Sequence, residues 1–149
     1  MAVPERRDLV ARRNAPFAEE WTFTDEAGDP VDFTGASVSM QVRLYGAQAG
    51  TALVDLSDGV AALTEGLIAD EGVVTVFIDE ATLKVLPQGR TGEDVVFEYD
   101  LRVDLADRVE EVWSYGSFTL KPGVTDRLFM LIAGAGNYLV AAGKYLVAR

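Results

Sequence analysis

The chain has 149 residues, 49% of them apolar and 25% charged, a length and balance that suit one globular domain with its own core. Its net charge of −11 argues against nucleic acid as a partner of the main body, because an acidic surface repels phosphate. It holds neither cysteine nor histidine, which removes disulfides, thiolate metal sites, the commonest general base and the commonest metal ligand.

Residues 1–14 read as a basic arm. Arg6, Arg7, Arg12 and Arg13 oppose only Glu5 and Asp8, a local +2 that leaves −13 on the remainder. Such an arm is expected to dock on an acidic neighbour, another copy of the chain included. The plainer alternative is a solvated terminus. No apolar h-region accompanies the arginines, so no export signal is expected.

Residues 15–125 read as an antiparallel β-sandwich. In "FAEEWTFTD" (17–25), Trp21 and Phe23 alternate with Thr22 and Thr24, the period of a strand. "EAGDP" (26–30) is a turn. "ASVSMQVRLY" (36–45) places Val38, Met40, Val42 and Leu44 on one face and Ser39, Gln41, Arg43 and Tyr45 on the other. "GAQAG" (46–50) is a loop. Short strands are expected in "TALVDL" (51–56) and "GVAALTE" (59–65), around a turn at Ser57, Asp58 and Gly59. "GVVTVFID" (72–79) turns Val74, Val76 and Ile78 to one side. "DEATLKVLPQG" (79–89) breaks the pattern: Asp79 caps a short helix that Pro87 stops. "DVVFEYDLRVDL" (94–105) and "VEEVWSYGSFTLKP" (109–122) are two longer strands of one hairpin. In the first, Phe97, Tyr99, Leu101 and Val103 alternate with Glu98, Asp100, Arg102 and Asp104, so one face is apolar and the other wet. About seven strands at this spacing make a sandwich with one short helix.

Residues 126–149 form an apolar extension that ends on a doubled phrase, "GNYLVAAGKYLVAR" (136–149). The run from Leu128 to Ala148 is long enough to cross a bilayer. However, Asn137 and Lys144 lie inside it, and each interior glycine costs a helix about 1 kcal/mol, so no membrane span is expected. A two-heptad helix would align Tyr138 with Tyr145. A β reading uses Gly136 and Gly143 as turns or bulges and makes each "YLV" a short strand. Both faces of such strands are apolar, so a second subunit is expected to cover one. The expected assembly surface is Arg6, Arg7, Arg12 and Arg13 together with Leu128, Phe129, Tyr138, Leu139, Val140, Tyr145, Leu146 and Val147.

No catalytic constellation stands out. Asp25, Glu26, Asp29 and Asp32 surround Gly28, but "DEAGDPVD" does not match a calcium-binding loop, and a solvated acidic turn is expected. No serine lies in a nucleophile elbow, and no phosphate-binding, dinucleotide or zinc-protease motif occurs. No catalytic residue, metal or cofactor is expected. Trp21, Trp113 and the tyrosines are expected in the core or on the sheet, with sugar stacking as the alternative.

"FAEEWTFTDEAGDPVDFTGASVSMQVR" (17–43) resembles the opening of a family of small tailed-bacteriophage virion proteins. Their pattern is an aromatic-rich strand, a "D-x-x-G-x-P-V-D-L-T-G" turn and a strand ending in "M-Q-V-R". "GVVTVFIDEATLKVLPQG", "FEYDLRVDL" and "GSFTLKPGVTD" are similar to later features of that family, and the resemblance covers residues 15–127. The family is similar to the N-terminal module of phage baseplate upper proteins. It implies an Ig-like sandwich and a non-enzymatic component of the tail or baseplate. It also implies other virion proteins and the chain itself as partners, in a virion assembled in the host cytoplasm. The basic arm and the doubled phrase depart from the family. They suit a capsid decoration (cement) protein of the phage head, which is the alternative, followed by a carbohydrate-binding module.

Overall fold

A computed structural model of the protein describes residues 4–58, 65–107 and 110–124. Nine strands and one short helix follow one another: β1 (Glu5–Arg6), β2 (Leu9–Arg12), β3 (Phe17–Thr22), β4 (Ser37–Arg43), β5 (Val54–Ser57), β6 (Gly66–Asp70), β7 (Val73–Ile78), α1 (Glu80–Lys84), β8 (Val95–Asp104) and β9 (Glu111–Lys121). Apart from β6, the interior strands and α1 fall where the alternation places them.

The six-stranded sheet has the order β1-β9-β8-β4-β5, with β2 also on β9; the three-stranded sheet has the order β3-β7-β6. β3, β7 and β6 correspond to strands B, E and D of an immunoglobulin fold, and β9, β8, β4 and β5 to G, F, C and C′. The first strands run parallel to the last one. The chain is therefore an Ig-like sandwich without the inter-sheet disulfide.

The two inner faces supply the core. Trp21, Val38, Met40, Val74, Val76, Ile78, Phe97 and Leu101 are buried between the sheets. On β8, Glu98 and Asp104 are exposed while Phe97, Tyr99, Leu101 and Val103 are buried, the division the alternation calls for. Asp79 caps α1 by accepting the Thr82 backbone N–H at 2.8 Å.

Three expectations are corrected. Residues 5–12 are not an arm: β1 and β2 pair with β9, and Leu9 and Ala11 are 3% exposed. The sandwich therefore begins about ten residues before the boundary at 15. The strand expected at 59–65 is instead β6, at Gly66–Asp70, while residues 59–64 lie outside the described residues. A two-residue turn of Glu71 (φ 48°) and Gly72 (φ 80°) joins β6 to β7. Positive φ at both positions marks the hairpin turn whose twist matches the strands. Leu44, assigned to the buried face, follows the end of β4 and is 40% exposed. The C-terminal strands expected in 126–149 lie outside the described residues.

Candidate interaction surfaces

Of the four N-terminal arginines, two are spent inside the domain. The Arg7 guanidinium donates to Glu19 Oε2 (3.1 Å) and to the Glu20 carbonyl (2.9 Å), reaches Glu5 Oε2 at 3.3 Å and lies 5.2 Å from the Trp21 ring centroid. Arg13, 9% exposed, donates to the carbonyls of Leu83 (3.2 Å), Leu86 (2.7 Å) and Pro87 (2.6 Å). It thereby holds the C-terminal end of α1, where unpaired carbonyls need donors. Burial lowers its pKa. Arg6 and Arg12 remain on the surface, and Arg6 pairs with Asp8 at 3.1 Å. The expectation that all four arginines form a docking patch is thus corrected for Arg7 and Arg13. Their partners are this domain's own carbonyls and carboxylates, which no spacing in the sequence announces.

Ser114 is the polar hub of the core. Its hydroxyl accepts from Trp21 Nε1 (3.0 Å), lies 3.1 Å from the Tyr99 hydroxyl and donates to the Glu5 carbonyl (3.1 Å). Tyr99 in turn donates to the Arg7 carbonyl at 2.7 Å. Burial, the larger influence, raises the Tyr99 pKa. Four elements meet at this hub, which fastens the β1–β2 connection to the sandwich.

A groove of about 740 Å³ opens at the end of the sandwich where the β3–β4 and β8–β9 loops meet. Its apolar lining is Phe23, Val31, Leu105 and Trp113. A register shift between Leu101 and Arg102 leaves Trp113 unpaired in the β8–β9 ladder. Both Trp113 and Ser114 then face inward, at 4% and 0% exposure, the re-aiming a β-bulge produces. Trp113 meets Phe23 edge-on at 5.0 Å and Phe33 at 6.3 Å.

Asp25, Glu26, Asp32 and Asp107 also line the groove, with no Lys or Arg among the described lining residues. Asp25 accepts the backbone N–H groups of Ala27 (2.9 Å) and Asp29 (3.0 Å). Asp32 accepts the Thr34 N–H at 2.9 Å, and hydrogen bonds from Thr34 hold its carboxyl below the usual range. These carboxylates order the acidic turn as well as charging it.

The opposite end is apolar. Eight large apolar side chains are exposed among the described residues, and five of them lie there: Leu44 and Tyr45 after β4, Val85 at the end of α1, Val96 at the start of β8 and Val124 after β9. Trp21 and Trp113 are core residues, whereas Tyr45 and Tyr115 stay exposed. Leu128, Phe129, Tyr138, Leu139, Val140, Tyr145, Leu146 and Val147 lie outside the described residues. No helix among the described residues is long and apolar enough to cross a membrane.

No protein-family model and no curated protein matches the chain. Among solved structures, it is similar to the extracellular domain of the voltage-gated sodium channel β4 subunit, described as a parallel homodimer with a role in cell–cell adhesion. The identity is 8%, with 83% of this chain and 98% of that chain covered and a TM-score of 0.39. A likeness of that size bears on neither function nor partner.

Proposed function

We propose that the chain is a non-enzymatic structural module of a tailed-phage virion, seated in the tail or baseplate through contacts with other virion proteins and with itself. Such a protein would be assembled in the host cytoplasm and carried in the particle. The observation that carries the reading is the apolar end. Exposed large apolar side chains gather where β9 delivers the chain to its apolar C-terminal sequence. Clustered exposed apolar surface is the mark of a protein contact. The sequence resemblance over residues 15–127 supplies the phage context, and an Ig-like sandwich is the fold that resemblance implies.

The tail reading is preferred over head decoration for a physical reason. A clamp across capsomers draws on extended arms at both ends of the chain. Residues 5–12 are strands of the sandwich, so the N-terminal arm that favoured a clamp is gone. Immunogold labelling of purified particles tests the choice. Label confined to the tail tip is the expected result. Label over the head would establish decoration instead, and particles without label would overturn both readings.

A further inference from the structure

We infer that the acidic groove between the β3–β4 and β8–β9 loops is the receptor for the C-terminal segment, residues 136–149, of a neighbouring copy. The inference rests on the reading of the chain as an assembly module, and not on where in a particle it sits.

The first argument is chemical complementarity. The groove has an apolar floor of Phe23, Val31, Leu105 and Trp113 and a rim that includes Asp25, Glu26 and Asp32. The loop that supplies most of it, residues 23–36, contains no Lys or Arg. Its natural ligand is an apolar segment that carries positive charge and no negative side chain. The chain contains one such segment. From Arg127 to Arg149 it has no Asp or Glu, and within 136–149 its charged side chains are Lys144 and Arg149. In a chain of net charge −11 such a stretch is exceptional. Tyr, Leu and Val suit the aromatic floor, and the two cations suit the rim.

The second argument is reach. β9 carries the chain from Trp113, in the groove, to Lys121 at the far end, a rise of roughly 26 Å at 3.3 Å per residue. Residues 125–135 extend at most about 36–40 Å. Returning to the same molecule's groove would consume nearly all of that length in a straight run back along the domain. In a copy stacked end to end, the groove lies next to the exit point. That stacking also covers Leu44, Tyr45, Val85, Val96 and Val124. The contact joins two different surfaces, so it is heterologous and propagates into a ring or an open row.

The test uses the full chain and two sets of variants. Ala27 is exposed and lines the groove; Ala27→Trp fills the groove without touching the core. Leu139→Asp with Leu146→Asp spoils the segment. Sedimentation of the parent chain should show concentration-dependent oligomers larger than a dimer. Each variant alone should associate at least about tenfold more weakly, with an unchanged circular-dichroism melt. An equimolar mixture of the two should form a dimer and nothing larger, one good groove receiving one good segment. Glu26→Lys should also weaken association of the parent by reversing the rim charge.

A parent chain that is monomeric at every concentration would overturn the inference, as would variants that associate like the parent. A mixture that stays monomeric would overturn it too. A chain that labels phage tails yet never self-associates sinks this inference and leaves the proposed function standing.

Discussion

Ser114 is a small residue with a large share of the structure's specificity. It is fully buried, and its hydroxyl satisfies Trp21 Nε1 and the Glu5 carbonyl while touching Tyr99. Ser114→Ala leaves a buried indole N–H without a partner, and an unsatisfied buried donor costs about 1–3 kcal/mol. Chemical denaturation should show that loss. Adding Trp21→Phe should then cost less than it does in the parent, because the orphaned donor is removed with the ring. Additive losses would show that the two side chains act independently. Arg13 is the parallel case. Its planar fork reaches three carbonyls at once, a geometry that a lysine cannot reproduce. Arg13→Lys is expected to lose about 1.5–3 kcal/mol, and amide exchange in α1 should report the loosening first.

At the scale of elements, the N-terminal strands matter more than their charge suggests. Burying Leu9 alone stabilises the domain by about 1.5–3 kcal/mol, and β2 covers the edge of β9 through four paired positions. Deleting residues 1–12 should therefore lower the melting temperature sharply. A solvated arm would be removed at no cost. Gly116 sits where β9 passes beneath the β1–β2 connection, and a Cβ there would collide with the Arg7 carbonyl. Gly116→Ala should raise amide exchange across residues 5–8 before it affects β4 or β7. The sequence made β4, β7, α1 and β8 legible because each repeats one period over its whole length. It concealed β1 and β2 because Arg6, Arg7 and Asp8 interrupt a strand whose inward residues are only Leu9 and Ala11. The groove was hidden for another reason. Trp113 faces it only because a bulge breaks the alternation between Trp113 and Ser114, and no period-two reading places two adjacent residues on one side. The acidic turn was legible as an acidic turn; that aromatic side chains floor it depends on β9, far away in sequence.

The whole molecule is acidic and lacks histidine, so carboxylates set how its stability responds between neutral and acid pH. Three are held below the ordinary value of 3.8: Asp8 chiefly by the Ser117 N–H, Asp32 by Thr34 and Asp79 by the Thr82 N–H. A carboxyl whose folded pKa is depressed stabilises the fold fully above its unfolded pKa, and that stability is lost as pH falls through the folded value. Asp100 has the opposite sign. Burial is the larger influence and raises its pKa, while Arg102 and Arg43 pull it down. Its charged form therefore burdens the fold at neutral pH, and protonation on the way down relieves that burden. Self-repulsion also weakens as pH approaches the isoelectric point of about 4.3. Melting temperature should accordingly rise on acidification from neutral pH, pass a maximum above 3.8, and fall steeply below it. Asp100→Asn should raise the melting temperature at neutral pH and flatten the rising limb, leaving the acid fall unchanged. Asp79→Ala should lower the melt at neutral pH by the 0.5–2 kcal/mol or about 1 kcal/mol typical of a helix cap and make the acid fall shallower. A thermal-melt series by circular dichroism across that range checks both. If Asp100→Asn melts lower than the parent at neutral pH, its pairing with Arg43 and Arg102 outweighs its burial, and the sign assigned to it is wrong.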